Sequence, residues 1–159
     1  MSFNQIIETL DKLLRLQKSL MTLAVQKTEI VKKGDISALQ VLLKDEQAHL
    51  RAIKSLEVTM LNTAKTIVGV PEPTLTDIIQ TAEGENKERL ERLQRDLEES
   101  VVTLSERNTL NQQLLEQSLH FINLSLDLLV PSIDSYNYDN QNQSNEYDQP
   151  NRSIFNSKV

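Results

Sequence analysis

The stretch VVTLSERNTLNQQLLEQSLHFINLSLDLLV, residues 101–130, decides the fold of this chain. Its apolar residues recur three and four positions apart, a spacing that predicts a helix. From Leu114 onward they occupy nearly the whole circumference, whereas a helix packed on one side has an apolar arc of about 100°. This helix is therefore either the centre of a bundle or leaves apolar surface free for a partner, and we favour the second interpretation.

The surface of this helix divides into two stripes. The first carries two amides among its apolar residues and comprises Leu104, Asn108, Asn111, Leu115, Ser118, Ile122, Ser125 and Leu129. The second comprises Leu110, Leu114, Phe121, Leu124 and Leu128. The predicted partner-binding surface is the second stripe together with Asn108, Asn111, Leu115 and Ile122. Two alternatives stay open: the amides fix helix register as buried groups, and the leucines bury against another copy of the chain.

The first seventy residues predict a hairpin of two long helices. Helix one starts at Ser2 and ends at Lys32-Lys33-Gly34, where cations precede a glycine suited to a left-handed cap. Asp35 caps helix two at once, and so short a link makes the helices antiparallel. Each has about 30 residues, or roughly 45 Å. The inner stripe predicted for helix two is Leu39, Leu43, Glu46, Leu50, Ile53, Glu57, Met60, Ala64 and Ile67.

A proline-containing break at residues 69–73 separates this hairpin from the third long helix. Thr74 is expected to cap a short helix over residues 75–82, and Gly84 to separate it from a helix over about residues 85–130. At 1.5 Å per residue the last helix is about 65–70 Å long. Its predicted inward residues are Leu90, Leu93, Leu97, Val101 and Leu104. The predicted fold is all-α: an elongated antiparallel bundle of three long helices, with a short helix between the second and third.

The remaining residues, 131–159, have a different composition. They are rich in Asn, Ser, Gln, Asp and Tyr and poor in aliphatic residues, so they cannot bury enough surface to offset their ordering entropy. We therefore expect a helical domain over residues 1–130 and a flexible polar tail over 131–159. The tail carries aromatic residues that could anchor it to a partner: Tyr136, Tyr138, Tyr147 and Phe155.

Composition and motifs argue against several classes of protein. A net charge of -6 disfavours binding to nucleic acid, and the absence of cysteine excludes disulfides and thiolate chemistry. No secretory signal or membrane-spanning run is apparent, so we expect a cytoplasmic protein. Glu46 and His49 form one Glu-x-x-His unit, but a di-iron bundle uses two units and two further glutamates. We expect no metal, no cofactor and no enzymatic activity.

Several of these features together resemble the FlgN family. They are Lys33-Gly34-Asp35 before a helix with Leu39 and Leu50, the proline-containing break with Leu75, Asn108-x-x-Asn111 followed by Leu114-Leu115, and the Phe155–Lys158 segment of the tail. Members of the family are flagellar export chaperones for the hook–filament junction proteins, and the resemblance is to the Bacillus type.

The resemblance implies a function. It implies a cytoplasmic chaperone that binds the helical terminal segments of junction proteins, prevents their premature assembly and delivers them to the type III export gate. It also implies cargo binding by the C-terminal half of the third long helix and gate docking through an aromatic residue near the C-terminus. Tyr136, Tyr138, Tyr147 and Phe155 all remain candidates for that role. The alternative is a homo-oligomeric coiled-coil scaffold without export cargo.

Overall fold

The computed structural model describes the backbone of residues 2–129 and the side chains of residues 3–129. Four helices follow one another: α1 (Ser2–Lys33), α2 (Ile36–Val68), α3 (Leu75–Thr81) and α4 (Gly84–Leu129). No strand occurs among the described residues, which confirms the all-α prediction of three long helices and one short one. The predicted tail and its four aromatic residues lie outside the described residues. The chain divides into two units between Ser118 and Leu119.

The turn between α1 and α2 forms as predicted. Gly34 has a φ of 68°, in the left-handed region that favours glycine, and the Asp35 side chain accepts a hydrogen bond of 3.0 Å from the Ala38 N–H. Between the two helices, the Ser19 hydroxyl lies 2.7 Å from His49 Nε2 and Lys27 Nζ lies 3.2 Å from a Glu46 carboxylate oxygen. Residues nearer the C-terminal end of α1 therefore contact residues nearer the N-terminal end of α2, so the two helices run antiparallel.

Contacts between α1 and α4 fix the direction of the third long helix. Arg89 forms a 3.7 Å ion pair with Asp11, and Asn111 donates a 2.9 Å hydrogen bond to the carbonyl of Ala24. Residue numbers thus rise together on the two helices, which makes α4 parallel to α1 and antiparallel to α2. Thr28 of α1 also contacts Asn111 of α4. Because α1 ends at Lys33, five residues after Thr28, its end is level with about residue 116 of α4.

The apolar core of the first unit lies where α3 meets the long helices. It is entirely aliphatic, as the scarcity of aromatic residues predicts. Its fully or nearly fully buried members are Ile6, Ile7, Leu10, Leu13, Leu14, Ala64, Ile78, Ile79, Ala82, Leu90 and Leu93. Burying each large aliphatic side chain contributes about 1.5–3 kcal/mol, so this cluster is the main source of stability.

A capping box holds α3 in place over this core. Asp77 N–H donates to the Thr74 hydroxyl at 3.2 Å, while Thr74 N–H and its hydroxyl both donate to the Asp77 carboxylate at 2.8 Å. These hydrogen bonds, the backbone one foremost, lower the pKa of Asp77 below its ordinary value of 3.8. The box satisfies the first N–H groups of a helix that buries Ile78 and Ile79.

Two details of the predicted interior are wrong. On α2, Leu43 and Leu50 are 38% and 55% exposed, whereas their neighbour Leu42 is buried. On α4, Val101 was expected to face inward and is 50% exposed. The helices are present as predicted, and the other predicted inward positions are buried or half-buried, except Glu57 on α2, which is also exposed. No helix within residues 2–129 is both long enough and apolar enough to cross a membrane.

Candidate partner-binding surface

The last described turns of α4 carry the most exposed apolar side chains of the predicted surface. Phe121 is 71% exposed and Leu128 is 81% exposed. Leu119, Ile122, Leu124, Leu126 and Leu129 are also exposed, each by about half or more. A soluble protein rarely leaves so continuous an apolar surface without a partner. We call residues 119–129 the α4 end.

Three further leucines of the predicted surface lie in the first unit. Leu110 is 40% exposed, while Leu114 and Leu115 are half-buried. Leu115 lines a cleft of about 220 Å³ between the long helices, together with Leu20 of α1, Leu50 of α2 and Leu104 of α4. Leu115 therefore packs partly against the other long helices, whereas more of the Leu110 side chain is exposed to solvent.

The two amides have different surroundings. Asn111 is buried, with 2% of its surface exposed, and its Nδ2 donates to the Ala24 carbonyl. Its Oδ1 accepts a 2.5 Å hydrogen bond from the Thr28 hydroxyl. Both ends of the amide are thus bonded to α1, as a register-fixing residue requires. Asn108, one turn earlier, is exposed and lines the cleft beside Leu115.

Glu46 and His49 have partners within the hairpin rather than a shared open site. The Glu46 carboxylate pairs with Lys27, and both side chains are more than four-fifths buried. His49 Nδ1 lies 2.7 Å from the Asp45 carbonyl, an acceptor only, so this nitrogen donates. In the neutral ring Nε2 then accepts from Ser19. No cluster of three or more potential metal ligands occurs among the described residues.

The sequence of this chain matches a known protein family over a range that includes the predicted partner-binding surface. A family model described as FlgN protein matches residues 1–146, a range that includes all four helices of the described residues. The chain belongs to the FlgN family. The uncharacterized protein YvyG of Bacillus subtilis (strain 168) is 36% identical over 139 residues, covering 87% of each chain. No solved structure matches.

FlgN proteins form a chaperone family for flagellar export, and this membership confirms the resemblance found in the sequence. It also agrees with a site made of apolar helix surface rather than of titratable groups. Within the family framework, Asn111 belongs to the scaffold, since both of its polar ends are bonded to α1. The exposed members of the predicted surface are those in the α4 end together with Asn108 and Leu110.

Sequence reasoning missed a second exposed apolar stripe, on α2. Ile36, Leu43 and Leu50 recur every seven residues, close to two helical turns, and are 70%, 38% and 55% exposed. We call these three residues the α2 stripe. The adjacent pair Leu42-Leu43 gave no signal by itself, because both members of other adjacent pairs, such as Ile6-Ile7 and Ile78-Ile79, are buried.

Proposed function

We propose that this FlgN-family protein is a cytoplasmic chaperone that binds the helical terminal segments of the hook–filament junction proteins. The cargo helix lies along the α4 end, and Leu110 and Leu114 of the second stripe are proposed as further cargo contacts in the first unit. Binding masks the segments through which the junction proteins assemble, and the complex is then delivered to the export gate. Family membership supports the chaperone role, and the exposed α4 end supports the place of binding.

The single observation that carries this proposal is the apolar circumference of the α4 end. An amphipathic helix recognises a partner by laying apolar residues, spaced three, four and seven apart, into an apolar groove or along a face. Phe121 and Leu128 are spaced seven apart and are among the most exposed apolar residues of α4. They provide two anchors on one side, as such a helix needs.

The test is light scattering after size exclusion, with and without the terminal helical segments of a junction protein. We expect a heterocomplex with the unaltered protein and at least a hundredfold weaker binding after Phe121→Asp with Leu128→Asp. Burying a carboxylate at either anchor position is far more unfavourable than leaving that apolar side chain in water. Since both side chains are exposed, helicity and thermal stability should stay near those of the unaltered chain.

Val102→Asp is the matched control, because Val102 lies on the same helix and is 57% exposed. It should leave cargo binding unchanged. Equal binding by the control and the double variant would place the site elsewhere. A tight homo-oligomer that ignores cargo, and that falls apart in the double variant, would instead support the coiled-coil scaffold.

Delivery is the second part of the proposal. An aromatic residue of the tail docks on the export gate, and the candidates are Tyr136, Tyr138, Tyr147 and Phe155. Alanine in place of the docking residue should abolish pull-down of the gate protein and leave cargo binding intact. If all four single substitutions retain gate binding, the aromatic anchor is not in the tail.

A further inference from the structure

The α2 stripe borders the cleft that Asn108 and Leu115 of α4 also line. Leu50 lines the 220 Å³ cleft between the long helices although it is 55% exposed, and Leu104 and Leu115 of α4 lie across from it. A second hollow of about 300 Å³ adjoins it and is lined by Gln47, Leu50 and Arg51. The apolar stripe therefore continues into a groove rather than onto a convex surface.

The α2 stripe has the length and the spacing that a docked helix requires, and Leu50 is the stripe residue that lines the two hollows. From Ile36 to Lys54 α2 rises by about 27 Å, equal to five turns of a docked helix. Gln40 and Gln47 alternate with the three stripe residues along this flank, and both are exposed. Apolar residues every seven positions with polar residues between them are the pattern on which one helix packs against another.

Three exposed cations lie beside this stripe in a protein whose net charge is -6, whereas the next heptad position after Leu50 holds an exposed acidic residue, Glu57. Lys44 and Arg51 each follow a stripe leucine by one position, and Lys54 follows Leu50 by four, which puts all three cations on the same flank. All three are exposed, and no carboxylate of the described residues lies within salt-bridge distance of them. The acidic residue Glu46, between Lys44 and Arg51 in the chain, is paired with Lys27.

We propose that the α2 stripe and its cleft are a second docking surface, which takes an amphipathic helix of another protein carrying acidic residues along one flank. Apolar residues of that helix contact Leu43 and Leu50, and its carboxylates pair with Lys44, Arg51 and Lys54. This surface shares no residue with the α4 end, so the proposal does not rest on cargo binding there.

A lipid surface fits these features less well. A flat bilayer would have to reach Leu50 inside a cleft, past the opposite wall formed by α4. Nearby, α4 carries the carboxylate of Glu116, which lines a separate hollow together with Asn108 and Gln112. An anionic headgroup layer would be repelled there, whereas a helix can turn its carboxylates toward α2 alone.

The experiment uses the full chain and two synthetic helical peptides of about 20 residues, roughly 30 Å long. Both carry leucines at the same heptad positions; one has Glu and the other Lys at the flanking positions. Fluorescence anisotropy should show binding of the Glu peptide and at least tenfold weaker binding of the Lys peptide. Three exposed ion pairs together are worth about tenfold in affinity.

Two variants and their matched controls locate the site. Leu50→Glu should weaken binding of the Glu peptide at least tenfold, and Val41→Glu, on the opposite side of α2 and 63% exposed, should not. Arg51→Glu with Lys54→Glu should reverse the preference between the peptides. Lys12→Glu with Arg15→Glu, an exposed pair of the same spacing on α1, should preserve it.

Four results would overturn the proposal. The first is equal affinity for the two peptides, or no affinity for either. The second is an equal loss of affinity with Leu50→Glu and Val41→Glu. The third is binding to phosphatidylglycerol vesicles that Leu50→Glu removes, which would assign the surface to lipid. The fourth is self-association that the same variant removes, which would assign it to a second copy of the chain.

Discussion

Asn111 joins α4 to α1 through hydrogen bonds at both ends of its side chain. The Thr28 hydroxyl lies near two acceptors, the Ala24 carbonyl at 3.1 Å and Asn111 Oδ1 at 2.5 Å, but it has one proton to donate. The distance to Oδ1 is the shorter one, so the hydroxyl donates its proton to Asn111 Oδ1. The sequence placed Asn111 on the inner stripe but could not identify its partners, because they lie more than eighty residues away.

Replacing Thr28 by Val tests this arrangement at nearly constant volume. The change leaves the Asn111 Oδ1 buried without a donor, so the free energy of unfolding should fall by about 1–3 kcal/mol. Urea denaturation followed by circular dichroism measures the difference. In the double variant Thr28→Val with Asn111→Leu both polar groups are gone, and part of the stability should be recovered.

Thr22→Val is the control for this substitution. Thr22 is exposed on the same helix and donates to the Lys18 carbonyl four residues back, as Thr28 can to Ala24. Its replacement should change the free energy of unfolding by no more than about 0.5 kcal/mol. An equal decrease for the two valine variants would mean that the buried amide does not depend on Thr28.

Individual helices follow the sequence closely in their bounds and less closely in their orientation. Capping residues such as Asp35 and Thr74 act within one turn, so local sequence predicts where α2 and α3 begin. Which leucine of the pair Leu42-Leu43 is buried depends on where α1 and α4 lie around α2. Periodicity alone has no information on that direction. The exposed α2 stripe was missed for this reason.

The capping box of α3 predicts a pH dependence of stability. Because hydrogen bonds lower the pKa of Asp77 in the folded chain, its charge stabilises the fold above the ordinary pKa of 3.8. That contribution disappears as the pH falls through the lower, folded-state pKa. Asp77→Asn keeps the shape but not the charge, so it should lower the free energy of unfolding at neutral pH.

Urea denaturation of both chains at a series of pH values measures this effect. The difference between unaltered chain and variant should be constant from pH 7 down to about pH 5 and then shrink toward zero in acid. Comparing the two chains removes the contribution of all other carboxylates. A difference that persists unchanged at the lowest pH would show that the charge on Asp77 does not stabilise the box.

Across the whole molecule, the two proposed surfaces differ in the forces that they offer to a partner. Between residues 119 and 129 the charged residues are limited to Asp127, and the other titratable side chain is His120. Association there therefore depends on burial of apolar surface. On α2, three exposed cations flank a shorter apolar stripe. The sequence predicts the α4 end directly, because its apolar residues cover more of the helix than one neighbour can bury. The α2 stripe is recognised only from the fold, which shows that Leu43 and Leu50 are exposed to solvent.

This difference predicts opposite responses to salt. Raising NaCl from 0.1 M to 1 M shortens the Debye length from about 10 Å to about 3 Å, which screens exposed charges and leaves apolar burial intact. Affinity of the Glu peptide for the α2 stripe should therefore fall about tenfold, while cargo affinity at the α4 end should stay within about twofold or rise. Titration calorimetry at both salt concentrations assigns each response to its surface. The Glu peptide is titrated into the Phe121→Asp, Leu128→Asp variant, and cargo is titrated into the Leu50→Glu variant. A cargo affinity that falls as steeply as that of the Glu peptide would contradict the apolar site on α4, because no set of exposed cations in the α4 end could cause it.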